Sequence, residues 1–198
     1  MIPVLSQPEP IDFSHRVRNA GQKFLEHTPR PTTKQWIRKE FWRKVLPDMR
    51  SAYNQVCAYC AQWIPHGTGN HSIDHFIPRA AQPALAYEWS NYRYVSSRFN
   101  SRKGLSTILD PFTLQHGAFV LDFSSFLIKA NPDLAVEQKS LVWNTIDILK
   151  LNTDDDLVIE RQTWTDDYLA GHITFQFLKK MAPFIAFELH RQGRLLES

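Results

Sequence analysis

The sequence predicts an α+β fold. Two patterns carry that expectation. The middle third alternates short strand-like runs with Pro and Gly turns, and the last third carries helical apolar spacings ended by glycines. Composition agrees, since 43% hydrophobic and 13% aromatic residues over 198 positions suffice for a packed core and lie far from the disordered range. The expected organisation is an N-terminal extended arm over 1–31, a core over 32–125, and a helical C-terminal lobe over 126–198 packed on that core.

The arm is irregular because prolines recur at Pro3, Pro8, Pro10, Pro29 and Pro31, with one helical piece around 14–26. Thr32 or Thr33 is a candidate cap for a helix with Trp36, Phe41 and Trp42 on its apolar face, closing near Leu46-Pro47. Pro47 suits the first turn of another helix, whose apolar positions are Met49, Tyr53 and Val56. Pro65, Gly67 and Gly69 mark a turn, expected to join two arms of a hairpin whose second arm is a strand over 71–76. The segment 84–89 is ambiguous, 91–103 reads as a helix ended by Gly104, and 118–121 reads as a strand. Beyond it, 138–151 is an amphipathic helix through Leu141, Val142, Ile146 and Leu149. Thr153 or Asp154 caps the next helix, which carries Leu157, Val158, Trp164 and Tyr168 and stops at Gly171. A last pair spans 173–181 and 183–192, closed by Gly193.

Charge narrows the function classes only slightly. Twenty-three Lys and Arg against 20 Asp and Glu leave a net charge of +3, which permits a polyanionic partner without requiring one. No stretch approaches the ~20 apolar residues of a membrane span, and Met1-Ile2-Pro3-Val4-Leu5-Ser6 lacks a signal-peptide pattern, so a cytoplasmic location with no membrane partner is expected. Cys57 and Cys60 alone do not make a disulfide framework.

The chemistry concentrates in Ser72-Ile73-Asp74-His75-Phe76-Ile77-Pro78-Arg79, followed by Asn91 and by Asn100-Ser101-Arg102-Lys103-Gly104. An acid beside an imidazole, a turn at Pro78 and two asparagines can assemble one small site. Such a site pairs a divalent cation with a neutral histidine, the parts needed to activate water against a phosphodiester. Asn91 lies 16 positions after His75 and Asn100 nine after Asn91. That order, with Asn100-x-x-Lys103-Gly104 at its end, resembles the HNH (ββα-metal) endonuclease family in its HNN variant. The resemblance covers about a quarter of the chain, roughly 56–104. The wider run through Tyr87-Glu88-Trp89-Ser90-Asn91-Tyr92-Arg93 is similar to HNH proteins encoded beside ATPases in bacterial anti-phage systems of the Septu or retron kind.

The resemblance implies a ββα-metal core and a metal-dependent nuclease, with DNA favoured over RNA and an ATPase as protein partner. His75 is then the general base, suited by an ordinary pKa of about 6.5. Asp74 and Asn100 are the metal ligands, and Asn91 ties the loop together and orients His75. In regular strand pairing residues 74 and 75 face opposite ways. The family places the pair at a strand end, where the following loop turns the histidine toward the substrate. Two protein ligands plus waters and phosphate suit Mg²⁺, with Mn²⁺ able to substitute. Arg98 and Arg102 are four apart, hence on one helix face, and with Lys103 and Arg79 are candidates for phosphate contact. The competing reading of the charged face is simple solvation. For the whole chain the competing readings are a non-catalytic nucleic-acid-binding or scaffold protein of the same fold, and an RNase or tRNase using the same site.

Many HNH proteins carry two Cys-x-x-Cys pairs around a structural zinc. Here Cys57 and Cys60 match the first, whereas Ser96 and Phe99 stand where the second would be, so a four-cysteine site is excluded. A shorter candidate zinc set is Cys57, Cys60, His66 and His71, spaced C-x2-C-x5-H-x4-H; the alternative is a reduced, packed thiol pair. His15, His27, His116, His172 and His190 have no partners at ligand spacing, and Asp154-Asp155-Asp156 fits a helix start better than a metal site.

Overall fold

The computed structural model describes residues 1–196. It is α+β, with seven α-helices and two small antiparallel sheets among the described residues. No helix there is long and apolar enough to cross a membrane. The chain forms two compact units that interleave in sequence: Leu5–Val56 with Ile64–Leu105, and Met1–Val4 with Cys57–Trp63 and everything from Ser106 on.

In the unit containing Leu5–Val56, a π-helical turn Ser14–Arg18 runs into α1 (Asn19–His27), and a 3-10 turn Phe41–Val45 runs into α2 (Leu46–Ala52) with Pro47 in its first turn. Residues 1–31 are therefore extended only before this helical stretch. The helix expected after Thr32 is broken into turns, and Arg38, at φ 64°, sits in a left-handed conformation that no continuous α-helix allows. Then come β1 (His71–His75), 3-10 turns Pro83–Tyr87 and Trp89–Asn91, β2 (Tyr92–Ser96) and α3 (Ser97–Lys103).

β1 and β2 pair antiparallel, with His71 opposite Ser96 and His75 opposite Tyr92. Two sequence expectations are corrected here. β1 takes its partner from 92–96, so the turn at 63–70 is not the link between its paired strands. The first half of the helix expected over 91–103 is strand, because Tyr92, Tyr94 and Val95 are aromatic or β-branched and bury both faces of a pleated ribbon. Gly104, at φ 51°, ends α3 as expected, its N–H bonding the Asn100 carbonyl at 3.0 Å.

An aromatic cluster supports this unit. Trp36, Trp42 and Tyr87 are buried and meet at centroid distances of 5.9–6.2 Å. The Tyr87 hydroxyl donates to the Lys39 carbonyl at 3.0 Å, fixing the ring, and Gly21 of α1 lies against its face.

In the other unit, β3 (Phe119–Asp122) and β4 (Leu127–Ala130) pair antiparallel, followed by α4 (Val136–Ile148), α5 (Asp155–Leu169), α6 (Phe175–Met181) and α7 (Pro183–Arg191). Side chains take up the ladder groups on both strands. Glu188 and Gln192 bond the Leu121 N–H and carbonyl at 2.8 and 2.7 Å, and the Asn152 amide bonds both backbone groups of Ile128 at 2.8 Å. A two-stranded sheet is thereby spared open edges. Along α4 the apolar positions Val142 and Ile146, and Leu149 just beyond, are buried as expected, but Leu141 is 51% exposed. Gly171 and Gly193 adopt positive φ where the sequence placed helix ends.

A Cβ built on Gly21 falls 2.1 Å from the Tyr87 ring. Gly21→Ala should therefore destabilise this unit by about 1–3 kcal/mol despite the better helix propensity of alanine, read by urea denaturation; an unchanged midpoint would show that the ring yields freely.

Candidate functional site

Four of the sequence-selected residues, from β1, the loop after it and α3, converge on one cavity of about 810 Å³. Asp74, His75, Arg79 and Asn100 line it, beside Glu40, Trp42, Arg43 and Arg50 of the preceding elements and His71 and Ser72 of β1. All belong to the unit containing Leu5–Val56.

Asp74 is 3% exposed and forms an ion pair with Lys103, whose ammonium lies 3.0 Å from Oδ2 and 3.3 Å from Oδ1. The same ammonium donates to the His75 carbonyl at 3.1 Å. Lys103, expected at the phosphate, is instead 1% exposed. It sits at the last turn of α3, where helix geometry aims its side chain back toward β1 rather than outward.

His75 ends β1. Its Nε2–H donates to the Ala86 carbonyl at 2.9 Å, which leaves Nδ1 as the basic nitrogen. Two rings hold the imidazole edge-on, Trp42 at 4.6 Å and Tyr92 at 5.4 Å, and the Tyr92 hydroxyl donates to the same Ala86 carbonyl at 2.8 Å. Burial lowers the His75 pKa to about 4; the Ala86 bond opposes this, and the Arg79 and Lys103 charges reinforce it. The ring is accordingly neutral throughout the physiological range.

Asn91, 5% exposed, is a loop clamp. Its Oδ1 accepts from the Ile77 N–H at 2.8 Å, and its Nδ2 donates to the carbonyls of Ile77 at 3.0 Å and Leu85 at 3.1 Å. It acts on His75 indirectly, by fixing the strand of loop that presents Ala86. Asn100 sends Nδ2 to the Ser72 hydroxyl at 2.7 Å and to the Ile73 carbonyl at 3.2 Å, leaving Oδ1 without a hydrogen bond among the described residues.

The remaining cations are scattered. Arg79 lines the cavity, whereas Arg98 and Arg102 are not among its lining residues. Arg98 is exposed on α3, and the Arg102 guanidinium stands 5.5 Å over the Phe99 ring. Arg93, placed by the sequence on the helix, is a buried strand residue bonding the Ser90 and Tyr92 carbonyls at 2.8 and 3.0 Å. Trp42, Glu40, Arg43 and Arg50 went unrecognised in the sequence because they lie 24 or more positions before Asp74, with no spacing to mark them.

Neither a protein-family model nor a curated protein matches the chain.

His66 accepts from Arg50 at 3.1 Å, and His71 bonds the Tyr94 hydroxyl through Nδ1 and stacks on that ring. Burial and the Arg50 charge lower the His71 pKa. In the other unit Cys57 and Cys60 are not joined by a disulfide. Burial and the hydrogen bond with Cys57 push the Cys60 thiol up, so it stays protonated. Among the described residues no group of three or more His, Cys, Asp or Glu side chains is placed to share a metal ion.

Two outcomes follow from this geometry. Lys103→Met strands a buried carboxylate and should cost about 3–5 kcal/mol in urea denaturation, with Asp74→Asn added on top recovering most of it; equal losses in single and double variants would show that the pair contributes nothing. The lowered His75 pKa means that the unfolded chain binds more protons between about 4 and 6.5. Its contribution is thus complete above pH 6.5 and lost as pH falls toward 4. Wild type minus His75→Gln stability should shrink over that window, and a flat difference would contradict a neutral buried imidazole.

Proposed function

We propose that the chain is a metal-dependent endonuclease with a ββα-metal core of the HNH type, hydrolysing nucleic-acid phosphodiester bonds. The observation that carries the reading is that one cavity is lined by a neutral histidine with a defined basic nitrogen, a carboxylate and an amide oxygen. They come from β1 and α3, in the chain order strand, loop, strand, helix.

The donor set suits a hard cation. Asp74 offers a carboxylate and Asn100 its unbonded Oδ1, so these two residues would hold Mg²⁺ or Mn²⁺, with remaining positions left to water and phosphate. A carboxylate has about four lone-pair sites, more than one ammonium can use, so Lys103 and a cation can share it. When bound, the cation supplies positive charge for the phosphoryl oxygen and the departing oxygen.

The protein's own groups do the rest. Nδ1 of His75 takes a proton from the attacking water, while Ala86, Trp42 and Tyr92 keep the ring from turning away. Hydroxyl adds to phosphorus, the bond to the 3′ oxygen breaks, that oxygen takes up a proton from solvent water, and His75 returns its proton to solvent. Asn91 keeps the loop, and with it Ala86, in place. Arg79 contacts phosphate within the cavity, and the exposed side chains of α3 contact it outside. DNA is favoured as substrate, and a partner of ATPase type in an anti-phage system supplies the target choice.

The test is nicking and linearisation of supercoiled plasmid in Mg²⁺ or Mn²⁺, beside EDTA and beside His75→Ala prepared identically. Metal-dependent cleavage reduced 10²-fold or more in the variant is expected. Equal cleavage by both proteins sinks the mechanism. Binding of the plasmid without cleavage, with an ATPase partner supplied, favours the non-catalytic reading instead, and preferential cleavage of structured RNA favours the RNase.

A further inference from the structure

We infer that Trp36 and Trp42 hold Arg79 as the anion receptor of the cavity, presenting its N–H edge to a phosphate oxygen; this rests on the nuclease reading only for the name of the anion's carrier.

The Arg79 guanidinium carbon lies 5.1 Å from the Trp36 ring centroid and 5.0 Å from that of Trp42. Both tryptophans are buried, at 4% and 6% exposure, and Trp36 is held in turn by Phe24 and Tyr87. The two indole planes are inclined at 66° to each other, so the guanidinium is held by cation–π attraction to both rings without lying flat on both, and it carries five N–H donors. Among the described residues no carboxylate or carbonyl takes them. Several other arginines of the same unit are engaged: Arg16 with Asp12 and Asp48, Arg18 with Glu9 and Glu88, Arg93 with two carbonyls, and Arg50 with His66; Arg43, on the cavity wall, shares with Arg79 the lack of an acceptor among the described residues but has no pair of tryptophans over it. Arg79 is therefore a charge partly withdrawn from water, oriented by aromatic rings, and lacking an acceptor.

That combination carries a cost to the free protein which an incoming anion would remove. Burial pulls the Arg79 pKa below its usual range and the Arg43 charge adds to this, while Glu40 and Tyr87 oppose it; arginine nevertheless stays charged. The cavity that Arg79 lines also has His75 and Arg43 on its walls. Trp42 touches both the His75 ring and Arg79, so one buried ring sets the separation of the basic nitrogen and the anion receptor. Trp36 and Trp42 are thus positioning residues, and their burial keeps them from stacking on bases.

The ligand chemistry is a phosphate oxygen with free in-plane lone pairs, as in a phosphodiester or inorganic phosphate. Lysine cannot replace arginine here, because an ammonium offers no planar fork of donors.

The experiment measures binding, without metal and therefore without cleavage. Inorganic phosphate and a fluorescently labelled single-stranded DNA oligonucleotide are titrated in EDTA against wild type, Arg79→Lys, Arg79→Ala, Trp36→Phe and Trp42→Phe. Lys23→Ala, an exposed charge outside the cavity lining, serves as control. Intrinsic tryptophan fluorescence is followed alongside, and each variant's Tm is recorded. Expected are a phosphate-dependent fluorescence change in wild type, its loss in Arg79→Lys and Arg79→Ala, and at least tenfold weaker binding of both probes by these variants at unchanged Tm. Trp42→Phe should weaken binding several-fold while Arg79 is intact, and Lys23→Ala should match wild type apart from a small charge effect on the oligonucleotide. Arg79→Lys binding phosphate as wild type does overturns the inference, as does binding that follows Tm loss alone. If Arg79 variants lose phosphate binding while the wild type cleaves no nucleic acid, the receptor stands and the nuclease reading falls. If the wild type cleaves and Arg79→Lys binds and cleaves equally, the nuclease stands and the receptor falls.

Discussion

A single buried ion pair, Asp74 with Lys103, governs how the small sheet and its helix are put together. Taking a carboxylate and an ammonium out of water costs several kcal/mol each, and the loss is offset only when the partners sit at short distance with further hydrogen bonds. Here the ammonium reaches both carboxylate oxygens and the His75 carbonyl, so three acceptors share one cation. Any shift of α3 along β1 would break several of these bonds at once. The pair therefore fixes the register between the two elements, and with it the approach of Asn100 to Ser72 and Ile73.

The rest of the site is built on carbonyls rather than on charges. Ala86 accepts from both His75 and Tyr92, and Leu85 and Ile77 accept from Asn91. The irregular segment between β1 and β2 would otherwise leave buried polar groups unsatisfied. A single asparagine with donors and an acceptor in one plane answers two backbone carbonyls and one N–H, which no apolar residue of the same size could do. Trp42 then closes the arrangement from the other side, against both His75 and Arg79.

This division of labour explains the electrostatics. The histidine is surrounded by rings and two cations and stays neutral, while the one anion of β1 is committed to Lys103. Among the described residues Arg79 and Arg43 line the cavity without a carboxylate or carbonyl acceptor. A cavity that keeps its imidazole uncharged and two of its cations without acceptors is disposed toward an anionic ligand.

What the sequence determined by itself was a set of polar groups close together in the chain and the ends of most helices. Asp74, His75, Asn91 and Asn100 were legible because their order and spacing are local, and Gly104, Gly171 and Gly193 because a positive φ favours glycine whatever surrounds it. The strand at Tyr92–Ser96 was misread as helix since short runs of five residues satisfy either period until a partner strand is known. Lys103 shows the same limit for function. Its place in an Asn-x-x-Lys-Gly run suggested a phosphate contact, but only the packing of α3 on β1 turns it inward to Asp74. Likewise the sequence named Arg79 but not the tryptophans more than 30 positions earlier that hold it. Residue type and spacing set what a side chain can do; which neighbour it meets depends on contacts between distant parts of the chain, and those exist only once the chain has folded.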